Sequence, residues 1–316
     1  RACGSDANAW APLWREVCLF FSGSDFHRGG ITRSETMISI ITATKNIIAG
    51  GRKDSLRRCI ESVSHLECEH MICDGGSSDG TVDFVKSLLP AFPNLRLDSK
   101  MDTGVYAAFN RGVSLAGGKW VYFLGSDDYL TDPEMLIEAA REAESKKAEM
   151  IVSPVVNSDG AAGFKSRRDC GNILIIKPYC HQGVLMTKSL ILRLGGFNES
   201  YRIASDFELC LKAHLENITC VFSDKCYASF SAGNGLSMSG GGERNERLDI
   251  SQRLLGIPMS AQNLFFKKQL LPYKIIFALM CHKNSVIRQG ARYAFARRAA
   301  NIIGLLNDEG GPKSWF

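Results

Sequence analysis

From Met37 onward the chain alternates short, β-branched apolar runs with stretches whose apolar residues recur at helical spacing. Residues 38–43 read as a buried strand. Residues 54–64 carry helical spacing through Leu56, Ile60 and Val63, and Met71-Ile72-Cys73 forms a second strand ending at Asp74. The spacing predicts a helix over 80–89 stopped by Pro90, a weaker strand at 95–97, and a helix over 105–116 closed by Gly117-Gly118. A strand at 120–124, a helix at 133–144 and a strand at 150–152 follow. Alternation at this pace implies βαβ units, a mostly parallel sheet and helices on both faces. Beyond Pro154 the pattern loosens: 153–171 is polar and turn-rich, helices are predicted at 187–194 and 205–215, and a strand at 219–222. Glycine-rich loops at 233–235 and 240–242 lead into a largely helical end. Residues 1–36 lack a sustained period. The expected organisation is an extension at 1–36 outside the core, an α/β domain at 37–242 and a helical region at 243–316.

Composition narrows the class. The 316 residues are 45% hydrophobic and 22% charged, which excludes disorder and collagen-like repeats. Clean apolar runs such as 275–281 fall far short of the roughly 20 residues a spanning helix needs. The net charge of +5 is too mild to announce a nucleic-acid partner, but it is unevenly spread. From Glu243 to the end the balance is +7, and before it −2. Such a basic end suits an anionic membrane surface, or is a solvated face. Eleven cysteines occur without a C-x-x-C pair, several inside apolar runs. They read as reduced cytosolic thiols in the core, not as a disulfide framework or a zinc site.

In such sheets ligands bind beyond the carboxyl ends of the strands. Three polar clusters fall there: Thr44-Lys45-Asn46, Asp74-Gly75-Gly76-Ser77 and Asp127-Asp128. Two adjacent carboxylates at a strand end repel, and a hard divalent cation, Mg²⁺ or Mn²⁺, relieves this while keeping sites for phosphate oxygens. The alternative is a turn in which Asp128 or Asp132 caps the helix starting near Pro133. Asp74 can accept from a base N–H or a ribose hydroxyl, and Gly75 and Gly76 let backbone approach a ligand. Asp79 reads as a cap. Neither G-x-G-x-x-G nor G-x-x-x-x-G-K-[ST] occurs, which speaks against a dinucleotide site and a P-loop NTPase. In Asp102-x-Gly104-x-Tyr106-x-x-x-Asn110-Arg111, Tyr106 and Asn110 share a helix face, and alone they favour packing over ligand contact. Asp206, at the start of the helix 205–215, either complements the dipole or serves as a general base.

Taken in order, the segments 38–46, 74–81, 102–112, 124–128, His181-Gln182 and 205–211 resemble those of family 2 glycosyltransferases. The likeness is to the short bacterial members that build surface polysaccharides, and it covers roughly residues 37–237. It implies a GT-A fold whose domain at 37–242 binds a nucleotide-diphosphate sugar, with a UDP-sugar the family-level expectation. By the same resemblance Asp74 holds the base, Asp127 touches the ribose, and Asp128, with Asp127, holds the divalent metal. Thr44 and Asn46 line the nucleotide pocket, and Gly76 and Asp102 belong to the donor site. His181 and Gln182 lie near donor or acceptor, the loop Gly235-Leu236-Ser237 closes near the pyrophosphate, and Asp206 is the catalytic base. The implied reaction is an inverting hexosyl or N-acetylhexosaminyl transfer to a sugar or lipid-linked acceptor, in polysaccharide or glycolipid assembly.

That setting gives the basic end two readings. Segments 264–268 and 273–277, with the stripe Ile287, Ala291, Ala294, Ile302 and Leu305, form an interfacial helix pair on the inner face of the membrane, or they cover the domain or an oligomer contact. The expected location is cytoplasmic, peripheral to the membrane on the first reading. Two departures, Ala107 and Gly125 in place of the family's polar residues, keep a catalytically silent nucleotide-sugar binder or scaffold in view. A sugar-phosphate nucleotidyltransferase shares the sheet type, but it wants a basic glycine-rich loop directly after the first strand. Gly50-Gly51-Arg52-Lys53 sits too late for that.

Overall fold

The run at 38–43 becomes β1 (Ile38–Thr44), whose residues are almost all buried and which lies inside the main sheet. The structure, a computed structural model, describes residues 37–64, 68–157, 180–230, 242–255, 280–281, 288 and 291–292. The extension at 1–36, the loop Gly235-Leu236-Ser237 and the segments 264–268 and 273–277 lie outside the described residues, as do Ile287, Ala294, Ile302 and Leu305.

β2 (Cys68–Asp74) and β4 (Trp120–Phe123) pair parallel to β1 on either side, and β3 (Leu95–Ser99) pairs parallel to β2. With β6 (Met150–Val152), β8 (Val184–Thr187) and β9 (Cys220–Phe222) they form a seven-stranded sheet of order β3-β2-β1-β4-β8-β6-β9. Period-two alternation divides β1 between two cores. Ile38 and Ile40 pack with α1 (Lys53–Glu61) and α4 (Pro133–Ser145), while Ile41 packs with α3 (Val105–Leu115), α5 (Lys188–Arg193) and α6 (Ser205–Leu215). A third cluster joins α1 and α2 (Thr81–Leu88) to Ile72 and Leu95. Full burial of each such side chain contributes about 1.5–3 kcal/mol.

The mostly parallel sheet expected from the alternation is present, with one addition. The helix expected at 187–194 is present as α5, capped by the Thr187 hydroxyl accepting from Leu190 N; what the pattern does not show is strand β8, which runs up to Thr187. A four-residue buried run has no period to reveal it. β8 is antiparallel to both β4 and β6. That reversal carries the turn just before it, His181–Gly183, to the carboxyl end of β4. β5 (Tyr129–Leu130), β10 (Ala228–Phe230) and β7 (Val156–Asn157) form a small second sheet of order β5-β10-β7, which the pattern does not show because its strands are two or three residues long. α7 (Gly242–Leu255) packs against α6.

Burial pushes the Cys59 and Cys73 thiols up to about 12. Among the described residues no helix is long and apolar enough to cross a membrane.

Candidate active site

The parallel register sets Thr44, Asp74 and Ser99 side by side at the carboxyl ends of β1, β2 and β3. Asp74 is buried and accepts five hydrogen bonds: from Thr44 Oγ1 (3.1 Å), Ser77 Oγ (2.5 Å), Gly76 N (3.0 Å), Ser77 N (2.8 Å) and Ser99 Oγ (2.9 Å). Burial opposes its ionised form, but the Ser77, Ser99 and Thr44 donors outweigh it and hold the carboxyl below its ordinary value. Its oxygens therefore shape the loop 75–77. Gly76 adopts φ 80°, and a Cβ there would press on the Met101 backbone at 3.1 Å. Asn46, exposed and at φ 47°, ties the neighbouring loop in: its N–H donates to Ser77 Oγ and its Oδ1 accepts from Ser78 N. Gly80, not Asp79, is the N-cap of the helix starting at Thr81; Asp79, one residue earlier, accepts from Thr81 N and from Ala49 N.

Arg111 of α3 reinforces this edge. It donates to Asp98 (2.5 Å), to Asp102 (3.2 Å) and to the carbonyl of Asp74 (2.8 Å). The Asp102 side chain is only 6% exposed and fills the space beside Gly75, where a Cβ would lie 2.7 Å from Asp102 Oδ1.

Across β1, Asp127 and Asp128 follow β4. Asp132, not Asp128, caps α4 by accepting from Glu134 N and Met135 N, which leaves Asp128 for other work. Gly125 has a steric reason: a Cβ there would come within 2.4 Å of Asp128 Oδ2 and 3.2 Å of Asp127 Oδ1. Its missing side chain is the room into which the two carboxylates turn. Gln182 Nε2 donates to Asp128 Oδ2 at 3.1 Å, and His181 Nδ1 lies 3.4 Å from Asp206 Oδ2. The turn before β8 thus joins Asp128 to Asp206. It is itself fixed by Tyr122 Oη donating to the Gln182 carbonyl and Tyr227 Oη donating to the Gly183 carbonyl at 3.0 Å. Gly183 is compelled, since a Cβ would meet the Ser153 carbonyl at 2.1 Å.

Two half-buried or buried carboxylates in sequence are a hard-oxygen donor set. Among the described residues no group of three or more His, Cys, Asp or Glu is arranged to hold a metal. Asp127 and Asp128 offer only oxygen donors, the ligand type that Mg²⁺ and Mn²⁺ take, and do not form an all-protein cage.

The structure therefore gathers Thr44, Asn46, Asp74, Gly76 and Asp102 into one edge, and Asp127, Asp128, Gln182, His181 and Asp206 into another, with β1 between. Tyr106 and Asn110, for which the sequence favours packing over ligand contact, pack against the segment ahead of α6. Tyr106 stacks on Phe197 with ring centroids 5.3 Å apart, and Asn110 donates to the Phe197 carbonyl and accepts from Phe197 N. The α3 face thus holds the segment leading into α6. Its one-turn spacing is visible in the sequence; its target is not.

The model of the family described as Glycosyl transferase family 2 matches residues 39–206. The chain is 31% identical over 181 residues to a PGL/p-HBAD biosynthesis glycosyltransferase of Mycobacterium bovis (strain BCG / Pasteur 1173P2), spanning 56% of this chain and 69% of that protein. It is 30% identical over 166 residues to a chondroitin synthase of Pasteurella multocida (strain Pm70), spanning 50% of this chain and 17% of that one. A crystal structure of S. aureus TarS 1-349 in complex with UDP-GlcNAc matches with a TM-score of 0.58 at 18% identity, over 87% of this chain and 77% of that chain. At that identity the likeness is one of fold.

Proposed function

The chain belongs to glycosyl transferase family 2 and has a GT-A-type fold; from that premise we propose that it moves a hexose or N-acetylhexosamine from a UDP-sugar to an acceptor hydroxyl, with inversion at the anomeric carbon. The observation that carries the reading is the turn at 181–183, which links the carboxylate suited to a diphosphate-bound cation, Asp128, to the one suited to a base, Asp206.

Transfer breaks the anomeric C–O bond, releases a nucleoside diphosphate and builds positive charge on the sugar. Inversion in one displacement needs a base and no enzyme nucleophile. Asp206 accepts the proton of the acceptor hydroxyl as its oxygen attacks, and His181 beside it orients the carboxylate. Asp127 and Asp128 would hold the divalent metal, which when bound supplies Lewis-acid stabilisation of the leaving diphosphate. Gln182 fixes the rotamer of Asp128 through its amide. Thr44, Asn46, Gly76 and Asp102 form the nucleotide side, and Asp74 acts there through the loop it holds in shape.

The names of the relatives, a PGL/p-HBAD biosynthesis glycosyltransferase and a chondroitin synthase, support a sugar or lipid-linked acceptor. The +7 balance from Glu243 to the end supports a cytoplasmic enzyme peripheral to an anionic membrane. Purified protein incubated with UDP-glucose, UDP-galactose, UDP-GlcNAc and GDP-mannose tests the activity. We expect nucleotide release from a UDP-sugar with MnCl₂ and its loss in EDTA; release from none of the four, without binding of any, overturns the proposal.

A further inference from the structure

We propose that Glu246, on α7, is a positioning residue that holds Asp206 through the backbone leading into α6; the inference rests on Asp206 being the base. The start of a helix leaves N–H groups without intrahelical acceptors, and such groups seek partners elsewhere. Just ahead of α6 the acceptors of three successive amides are visible. Glu246 Oε1 accepts from Arg202 N at 2.7 Å, and its Oε2 accepts from Ile203 N and Ala204 N, both at 2.8 Å. The Tyr106 hydroxyl donates to the Ile203 carbonyl at 2.5 Å. Phe207 N donates to Asp206's own Oδ1 at 2.7 Å. One carboxylate thus gathers three successive amides immediately ahead of the base.

Bonds to an ionised acceptor are roughly twice as strong as neutral ones, and negative charge is favoured at a helix N-terminus. The acidic residues in the first turn of α6 serve only the Phe207 amide, through Asp206. Asp206 faces His181, and Glu208 pairs with Lys212 at 3.0 Å and Arg253 at 2.7 Å. Glu246 therefore comes from a different helix. The rest of α7 grips the same stretch: Asp249 accepts from Tyr201 Oη, and the Arg247 guanidinium lies over the Phe207 ring, 4.9 Å from its centroid. The donor edge is fixed by separate contacts, those of Thr44 and Arg111. Loss of Glu246 should accordingly displace the base while leaving donor binding intact, and a displacement of about 1 Å can cost about 10²-fold in rate.

The test uses the full chain with Glu246→Gln, Glu246→Ala, Asp206→Asn and the double variant Glu246→Gln/Asp206→Asn. With the UDP-sugar that the wild type consumes, we expect kcat to fall about 10- to 100-fold in the Glu246 variants, with KM for the donor within about twofold. The double variant should be no slower than Asp206→Asn alone, a non-additivity that a merely structural residue would not show. Hydrogen exchange of the amides at 202–204 should quicken at least about tenfold in both Glu246 variants and stay unchanged in Asp206→Asn. Wild-type turnover or unchanged exchange in Glu246→Gln overturns the proposal. Normal turnover by Asp206→Asn sinks the base assignment instead, and the exchange measurement still judges the anchoring.

Discussion

At the scale of single residues, Asp206 and Gly125 make the sharpest demands. Asp206 sits at a helix start, 15% exposed, with His181 against its Oδ2. Positioned acid–base catalysis is worth roughly 10²–10⁴-fold. Asp206→Asn is therefore expected to lower turnover by at least about 10²-fold while calorimetry with UDP and Mn²⁺ shows unchanged affinity; normal turnover would remove the residue from the mechanism. In the sequence Gly125 is only a departure that keeps a catalytically silent binder in view. The structure gives it a positive role, because any Cβ there would collide with Asp128. Gly125→Ala should weaken Mn²⁺-dependent UDP binding by about tenfold, since the Asp128 carboxylate must rotate away and lose its bond from Gln182. Equal UDP affinity in the variant and the wild type would show that the carboxylate adapts without cost.

At the scale of elements, α3, the turn at 181–183 and α7 do the arranging. α3 holds the donor edge through Arg111 and the approach to α6 through Tyr106 and Asn110, so one helix serves both sides of β1. α7 closes the other side of α6. Glu208 is 1% exposed; burial opposes its charge, but Arg253 and Lys212 outweigh this and keep its carboxyl below the ordinary value. Removing one partner leaves a buried carboxylate poorly compensated. Arg253→Met should therefore destabilise the chain by about 1–3 kcal/mol, read from the urea midpoint, Lys212 softening the loss. A midpoint unchanged from wild type would mean that α7 contributes little to holding α6.

At the scale of the whole molecule, the central sheet carries a built-in acid sensitivity. His70 on β2 is fully buried; its Nε2 lies 2.9 Å from Thr42 Oγ1, and Nδ1 has no hydrogen-bond partner among the described residues. Burial lowers its pKa from 6.5 to about 3. Between those values the unfolded chain binds a proton that the folded chain refuses, so stability rises with pH across that window and is lost as pH falls through it. The contribution is at most about 1.4 kcal/mol per pH unit and vanishes above the unfolded value. His70→Gln should flatten the dependence of the urea midpoint on pH between 6.5 and about 4, where Asp74, with its lowered pKa, has not begun to contribute. An equally steep dependence in the variant would place the acid sensitivity elsewhere. The basic end offers a second test at this scale. Co-sedimentation of the full chain with anionic but not neutral liposomes is expected, and binding to neither rejects the membrane reading.

The alternation of apolar runs determined the βαβ core, because a strand buried on both faces and a helix buried on one each write their period into the chain. The strand-end position of Thr44, Asp74 and Asp127-Asp128 followed from the same pattern, since parallel strands deliver their carboxyl ends to one edge. Sequence left the choice of cap between Asp128 and Asp132 open, and backbone geometry settled it on Asp132. β8 and the small second sheet were illegible, being too short for a period. With β8 went the reason why His181 and Gln182 reach both acidic groups: only an antiparallel pairing with β4 brings that turn to the working edge. Glu246 was hidden for a related cause. In the chain it is one acidic residue among the charges of an exposed-looking helix, and its meaning comes from three amides lying more than forty positions earlier. Local periodicity is encoded by neighbours, whereas the pairing of distant polar groups is decided only when the tertiary fold sets donors against acceptors.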